Sequence, residues 1–218
     1  MIVYGTPVSP FVRKVLSYLI ERGLDYELVA VGIADPNPDY AAVSPFRKMP
    51  AIKDGDFGTS DSSAILTYLE AKYPGSTLTP ESAEDKARVA WFDEFADTML
   101  TASGGKIFFN RVVAPKFIGR EGDEAAAKLG EAEMPGLYAY LESVLGSNGD
   151  GPAYLVAGMF TIADISVATA LGNLRPMGFG PDVAAYPKTA AYLDSIYARP
   201  SIAGPHGHFE KIYAQVAG

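Results

Sequence analysis

Beyond residue 82 the strand signals in this chain nearly vanish, and that change of pattern constrains the fold more than any single motif. Four later stretches, 84–100, 122–145, 161–174 and 186–200, carry apolar residues at helical spacing with glycine and proline between them. Before the change, short elements alternate in type. IVY (2–4) suits a buried strand. Residues 10–22 place Val12, Val15, Leu16, Leu19 and Ile20 on one helical face, and Gly23 is a natural stop. YELVAV (26–31) reads as a second strand, and DPNPDYAAVSPF as an irregular segment with at most a short helix. MPAIKDGDFGTS gives two short strands around a turn at Asp54-Gly55, and a helix follows from Ser62, with Ile65, Leu66, Tyr68, Leu69 and Tyr73 in phase, up to Pro74. The order suits an α/β sheet with one mixed edge. The expected domains are an α/β unit over 1–76, a linker and the start of the first long helix over 77–86, and an all-helical unit over 87–218. PGSTLTPES (74–82) has linker composition.

The chain is long enough, at 218 residues, to bury a sizeable core, and its 48% apolar and 20% charged content is that of a soluble globular protein. A formal charge of −8 argues against sequence-independent binding to nucleic acid or an anionic membrane, while leaving room for a local basic site. The absence of cysteine excludes disulfides, thiolate metal sites and a protein-borne thiol nucleophile. The opening MIVYGTPVSP has neither the basic region nor the apolar stretch of a signal peptide, and no run approaches membrane-spanning length, so a cytoplasmic protein is expected. His206 and His208 are the only histidines. They read as polar surface rather than a metal site, and no metal is expected.

Four stretches carry chemistry. In TPVSPFVRKVL, Ser9 followed by Pro10 is what a helix start asks for, and it also puts a hydroxyl at the helix's positive end. In FRKMPAI, Pro50 belongs at a strand entry or edge. A trans Met49–Pro50 peptide is the ordinary expectation, whereas a cis one would turn the backbone groups of Met49 outward toward an extended peptide. In SDSSAILTYLE, Ser60, Asp61, Ser62 and Ser63 precede a helix. They act as caps, or as the start of an anion site in which Asp61 also receives an ammonium. In GMFTIADISVA, Thr161 and Asp164 form a capping box with Phe160 and Ile165 as a hydrophobic staple; this is structural, and Asp164 is not an active-site acid.

Taken in order, SPFVRKV, KMPAI, SDSSAI, FTIAD and the terminal RPSI resemble the soluble, cytosolic-type glutathione S-transferases, in a bacterial-like, serine-type form, over essentially the whole chain. The resemblance implies a thioredoxin-like N-terminal domain, an all-α C-terminal domain, a homodimer and glutathione as cosubstrate. It also implies a cis Pro50, with the Met49 backbone pairing the cysteinyl part of glutathione. Asp61 and Ser62 would hold the γ-glutamyl end, with Asp61 in place of the more frequent Glu. Lys48 would attract the glycine carboxylate, a solvated surface lysine being the alternative. Ser9 matches the thiol-activating hydroxyl, with Tyr4 and Thr6 as rivals. A small hydrophobic electrophile is expected between the domains, with Phe11, Met99, Phe108 and Phe109 as candidate pocket residues. Trp91 and Phe92 are assigned to the core. Conjugation, isomerisation, dehalogenation and ether cleavage all remain open, as does a non-catalytic binding module of the same fold.

Overall fold

Val3, Leu28 and Ile52 lie side by side across the centre of a four-stranded sheet. The computed structural model describes residues 1–32, 35–75, 77–147 and 154–217. Its strands, β1 (Ile2–Tyr4), β2 (Glu27–Val29), β3 (Ala51–Asp54) and β4 (Phe57–Ser60), are ordered β2–β1–β3–β4. β1 runs parallel to β2 and antiparallel to β3, and β3 pairs antiparallel with β4 around the Asp54–Gly55 turn. A parallel pair needs a crossover, which α1 (Pro10–Glu21) supplies. That helix stops where glycine was expected to stop it. Gly23, at φ 62°, donates to the Ile20 carbonyl and Leu24 donates to that of Leu19, the paired C-terminal bonds of a left-handed cap. The proline-rich segment holds one short helix, α2 (Pro38–Val43), capped by Asn37. α3 (Ser62–Lys72) completes the α/β unit.

The remainder is helical, as the loss of strand signals implied. The connection expected over 74–82 falls between α3 and α4 (Ala83–Glu94); Ser76 within it, and the terminal Gly218, lie outside the described residues. From Ala83 one helical run continues to Ile118: α4, a π-helical stretch (Phe95–Leu100), α5 (Thr101–Phe108) and a second π-helical stretch (Phe109–Ile118). Pro115 sits in the second stretch. It has no N–H to give and crowds the carbonyl one turn back, so a locally wider helix accommodates it better than an α-helix would. α6 (Glu124–Ser147), α7 (Ile162–Gly172), α8 (Pro187–Tyr197) and α9 (Pro200–Ala217) follow.

α7 is buried along its whole length and forms the axis of this half. Its start depends on Asp164, itself fully buried. One carboxylate oxygen accepts from Leu155 N (3.0 Å) and from the Tyr192 hydroxyl (3.0 Å). The other accepts from Thr161 N (2.8 Å) and the Thr161 hydroxyl (3.1 Å). Burial pushes the Asp164 carboxyl up, to about 6, although each of these bonds pulls it down. Phe160 and Ile165 are both buried beside it, as the staple requires.

The histidine pair departs from expectation. Both residues lie on α9, two positions apart and therefore on opposite faces of the helix. His208 is exposed, but His206 is buried, stacked on Tyr197 at 5.3 Å and packed against Phe209. Burial, with the nearby charges of Arg13 and Arg175, lowers its imidazole to about 3, so it is a neutral core residue. No group of side chains suited to holding a metal occurs among the described residues. Trp91 also departs: it is half exposed, with Nε1 donating to the Tyr140 hydroxyl at 2.7 Å.

Truncating Asp164 would leave two buried amides, of Leu155 and Thr161, and the buried Tyr192 phenol without this acceptor. Asp164→Ala is expected to cost about 3 kcal/mol of unfolding free energy by urea titration; a loss under about 1 kcal/mol would show that the helix start does not depend on it.

Candidate active site

Ser9 caps α1 from an extended backbone (φ −75°, ψ 126°), its Oγ accepting from Val12 N at 3.4 Å. Its own N–H goes to the Thr6 carbonyl at 3.0 Å. The loop ahead of it lies so close to the helix that a Cβ on Gly5 would collide with the Val12 side chain. As a cap the hydroxyl accepts, so its proton is left to donate outward. The rivals stand elsewhere. Tyr4 is buried against Tyr40, and burial, with Asp39 and Glu27 adding, raises its phenol above the ordinary range. Thr6 lines a cavity described below.

The Ser9 loop is braced from inside the protein. Arg13, one turn into α1 and fully buried, donates through Nη1 to the carbonyls of Pro7 (2.6 Å) and Val8 (3.3 Å). Its Nη2 reaches α7 and the residue just beyond, donating to the Thr169 carbonyl at 2.9 Å and to the Asn173 side-chain oxygen. The guanidinium also lies 4.6 Å from the centre of the Phe209 ring. Burial pulls it down to about 9, which still leaves it protonated at neutral pH.

Two cavities flank this loop and share Met49. The first, about 770 Å³, brings together Phe11, Lys48, Met49, Pro50, Asp61 and Ser62, with Phe46 and Asp97 also on its wall. The Met49–Pro50 peptide is cis. Asp61 N donates to the Pro50 carbonyl at 3.3 Å, tying the two motifs together. Asp61 has φ 80°, a region that favours glycine and costs a carboxylate residue about 1–3 kcal/mol. Its Oδ1 caps α3 by accepting from Ser63 N (3.0 Å) and Ala64 N (3.1 Å), and the residue is exposed. Ser62 is buried at the same helix start. Lys48 is exposed, and its loop is fixed by Ser44, whose hydroxyl accepts from Lys48 N (3.0 Å) and donates to Lys48 O (2.8 Å).

The second cavity, about 750 Å³, lies between the two halves. Thr6, Val8 and Met49 form one side; Val113, Phe117, Ile118, Arg120 and Ile212 form the other. Ser9 borders neither cavity itself but sits in the chain between Val8 on the second and Phe11 on the first. Of the four pocket candidates, only Phe11 lines either cavity. Phe108 is corrected to the core: it is buried and meets Phe209 edge-on at 5.7 Å. Met99 and Phe109 are exposed and border neither cavity. Phe109 opens the second π-helical stretch on its exposed side, and the residues of that stretch that line the second cavity are Val113, Phe117 and Ile118, toward its C-terminal end.

The N-terminal domain family of the glutathione S-transferases matches residues 3–77, and their C-terminal domain family matches residues 108–204. Glutathione S-transferase 3 of Zea mays is 33% identical over 206 residues, covering 91% of this chain and 90% of that one. The chain belongs to the glutathione S-transferase family. Ure2p5 of Phanerochaete chrysosporium, crystallised with 1-(S-glutathionyl)-2,4-dinitrobenzene, superposes with a TM-score of 0.80 at 28% identity, over 98% of this chain and 96% of that one. Elongation factor 1-gamma of Schizosaccharomyces pombe is 33% identical over 165 residues, which is 75% of this chain and 38% of that protein.

In this glutathione S-transferase chain two residues of the first cavity's wall, Ser63 and Asp97, belong to an ion cluster built around the buried Lys14. Lys14, 1% exposed, pairs with Asp93 of α4 and with Asp97 of the following π-helical stretch (3.0 Å), and donates to the Ser63 hydroxyl of α3 at 3.2 Å. Ser63 donates to Asp93 at 2.7 Å, and Ser166 of α7 donates to the other Asp93 oxygen at 2.6 Å. Burial lifts the Asp97 carboxyl above its ordinary range, against the pull of Lys14; Asp93 and Asp61 lift it further.

Removing Lys14 would leave two buried carboxylates uncompensated, so Lys14→Met is expected to cost about 3–5 kcal/mol at neutral pH. The sign of the pH dependence follows. Without the lysine, Asp97 rises further and the folded state binds protons more readily than the unfolded chain. The deficit relative to wild type therefore shrinks as the pH falls toward the carboxylate range. Urea titrations of both proteins across that range check this, and a pH-independent deficit would contradict it.

Proposed function

We propose that this chain is a glutathione transferase in which Ser9 stabilises the glutathione thiolate and the second cavity holds the electrophile. The observation that carries the reading is the placement of Asp61, Ser62, the Met49 backbone and Lys48 on one cavity wall, with Met49 shared by an apolar cavity and the Ser9 loop running between the two. On this reading the γ-glutamyl ammonium meets Asp61, and its carboxylate meets the free N–H groups and positive end of α3 beside Ser62. The cysteinyl backbone pairs with Met49, and Lys48 draws in the glycine carboxylate.

The chemistry then turns on the thiol. A free thiol of pKa about 8.5 is mostly protonated at neutral pH. One hydrogen bond from Ser9, together with the positive end of α1, can lower it by about one to two units, each worth about 1.4 kcal/mol. The thiolate sulfur attacks the electrophilic carbon, and the displaced electron pair leaves with the departing group or enters an enolate that solvent protonates. Glutathione-dependent isomerisation, dehalogenation and ether cleavage use the same first step, and the second cavity's occupant selects among them. A cytoplasmic location belongs to the reading, because glutathione is the thiol pool that keeps that compartment reducing.

A homodimer belongs to it as well. Phe46 is 86% exposed on the first cavity's wall, and Phe57 and Trp91 are each about half exposed, apolar surface that a second copy would remove from water. Light scattering on the purified chain is expected to give twice the 23.2 kDa protomer mass; a protomer mass at micromolar concentration would remove this part of the reading.

Ultraviolet difference spectra of the glutathione complex test the site. Wild type should show the thiolate band at neutral pH, and Ser9→Ala should lose it, with kcat falling by about a hundredfold while the KM for glutathione holds. Retention of the full band in Ser9→Ala would reassign the activating hydroxyl. Failure of wild type to bind immobilised glutathione would favour the non-catalytic binding module.

A further inference from the structure

The second cavity carries one charged side chain among its described lining residues, Arg120, on a wall otherwise apolar apart from the Thr6 hydroxyl. Its surroundings make it unusual. Arg111, nine positions earlier, is fully engaged: it pairs with Glu124 and Glu131, each at 2.5 Å, and stacks over Phe179. Arg120 has no carboxylate partner among the described residues, although acidic side chains surround it in sequence. Asp123 instead caps Ala126 N at 3.0 Å, and Glu124 is held by Arg111.

The segment that presents Arg120 is fixed in place. Gly119 closes the π-helical run at φ 70° and ψ 30°, and Arg120 N donates to the Ala114 carbonyl at 2.9 Å. Asp123 N donates to the Asn110 side-chain oxygen at 3.0 Å. Gly122 packs onto the Asn110 carbonyl with no room for a Cβ. An exposed guanidinium carried on this fixed backbone at the wall of an apolar cavity, with no carboxylate partner among the described residues of a chain of net charge −8, offers a bidentate partner to an anionic group.

We infer that the electrophile class preferred by the second cavity is amphipathic: an apolar or aromatic body bearing the reactive carbon, with a carboxylate or similar anion at the far end bound by Arg120. The inference rests on the glutathione reading above and adds a specificity residue to it. In the displacement reaction used to test it, the thiolate sulfur bonds to the ring carbon that carries chlorine. The carbon–chlorine bond then breaks, and chloride leaves with the bonding pair; the thiol proton has already passed to solvent.

The probes are a chlorodinitrobenzoate, with chlorine para to the carboxylate, and the matching chlorodinitrobenzamide, each rate normalised to its uncatalysed reaction with glutathione. Wild type should prefer the carboxylate in kcat/KM by about tenfold, chiefly through KM, as a charge-assisted contact of this kind allows. The preference should weaken as salt is added. Arg120→Gln should collapse the ratio of the two substrates toward unity, and Arg120→Lys should keep part of it. Equal use of both probes by wild type, or a preference that survives in Arg120→Gln, overturns the inference while leaving the glutathione reading standing. If neither probe reacts and glutathione itself does not bind, both fall together.

Discussion

Charge taken out of water must find a partner, and this chain buries two adjacent basic side chains, Arg13 and Lys14, in the middle of its first helix, each 1% exposed. Neighbouring helix positions point about 100° apart, so the two diverge into different parts of the second half. Arg13 runs to α7, where backbone carbonyls and Asn173 meet it. Lys14 runs to the carboxylates of Asp93 and Asp97. Together they fix where the α/β unit sits on the helical one. Apolar packing between α1 and α7 supplies much of the burial, but it is non-directional. The hydrogen-bonded cations supply the register. The same two residues also support the site, since Arg13 holds the carbonyls ahead of Ser9 and the Lys14 cluster underlies the wall that bears Asp61.

Much of this was legible in the sequence because it depends on local rules. The Gly23 stop, the Asp54-Gly55 turn, the Ser9-Pro10 start and the Thr161–Asp164 box each satisfy backbone groups within a few residues, and each occurs where the pattern put it. The mixed sheet followed from the order of short apolar runs. What escaped depends on distant partners. RKV reads as two solvated charges on an apolar helix until the carboxylates from residues 93 and 97 are brought beside it. α9 contains Pro205 and two glycines in its first half and has little helical propensity, so packing rather than local preference stabilises it. His206 followed from that omission: without the helix, there was no face to bury it on.

The pocket residues were missed for a different reason. Met99, Phe108 and Phe109 are candidates by residue type in the helix that begins the second half, with no face of that helix singled out. The second π-helical stretch, with Pro115 inside it, supplies the lining instead. The residues that reach the cavity are aliphatic or lie beyond the proline, in VVAPKFI, a stretch whose composition reads as ordinary core. A proline inside a helical pattern was the available signal, since it requires a break, a kink or a widened turn, and each of these moves every later side chain around the axis.

The two cavities differ in how they are built, and that difference bears on how such a site can vary. The first is made largely from backbone and caps: the start of α3, the Met49–Pro50 peptide and Asp61 at positive φ, a backbone conformation most side chains resist. The second is made from residues on five separate segments: the loop after β1, the stretch after β2, Met49 ahead of β3, the end of the π-helical run with Arg120 just beyond it, and α9. A substitution there changes shape or polarity without disturbing the sheet or the ion cluster. Geometry for a constant cosubstrate thus resides in the elements that the fold cannot alter. On the reading proposed above, choice of the second substrate is left to the surface it can alter, and Arg120, held by its backbone and without a carboxylate partner among the described residues, is the one charged side chain on the described lining there.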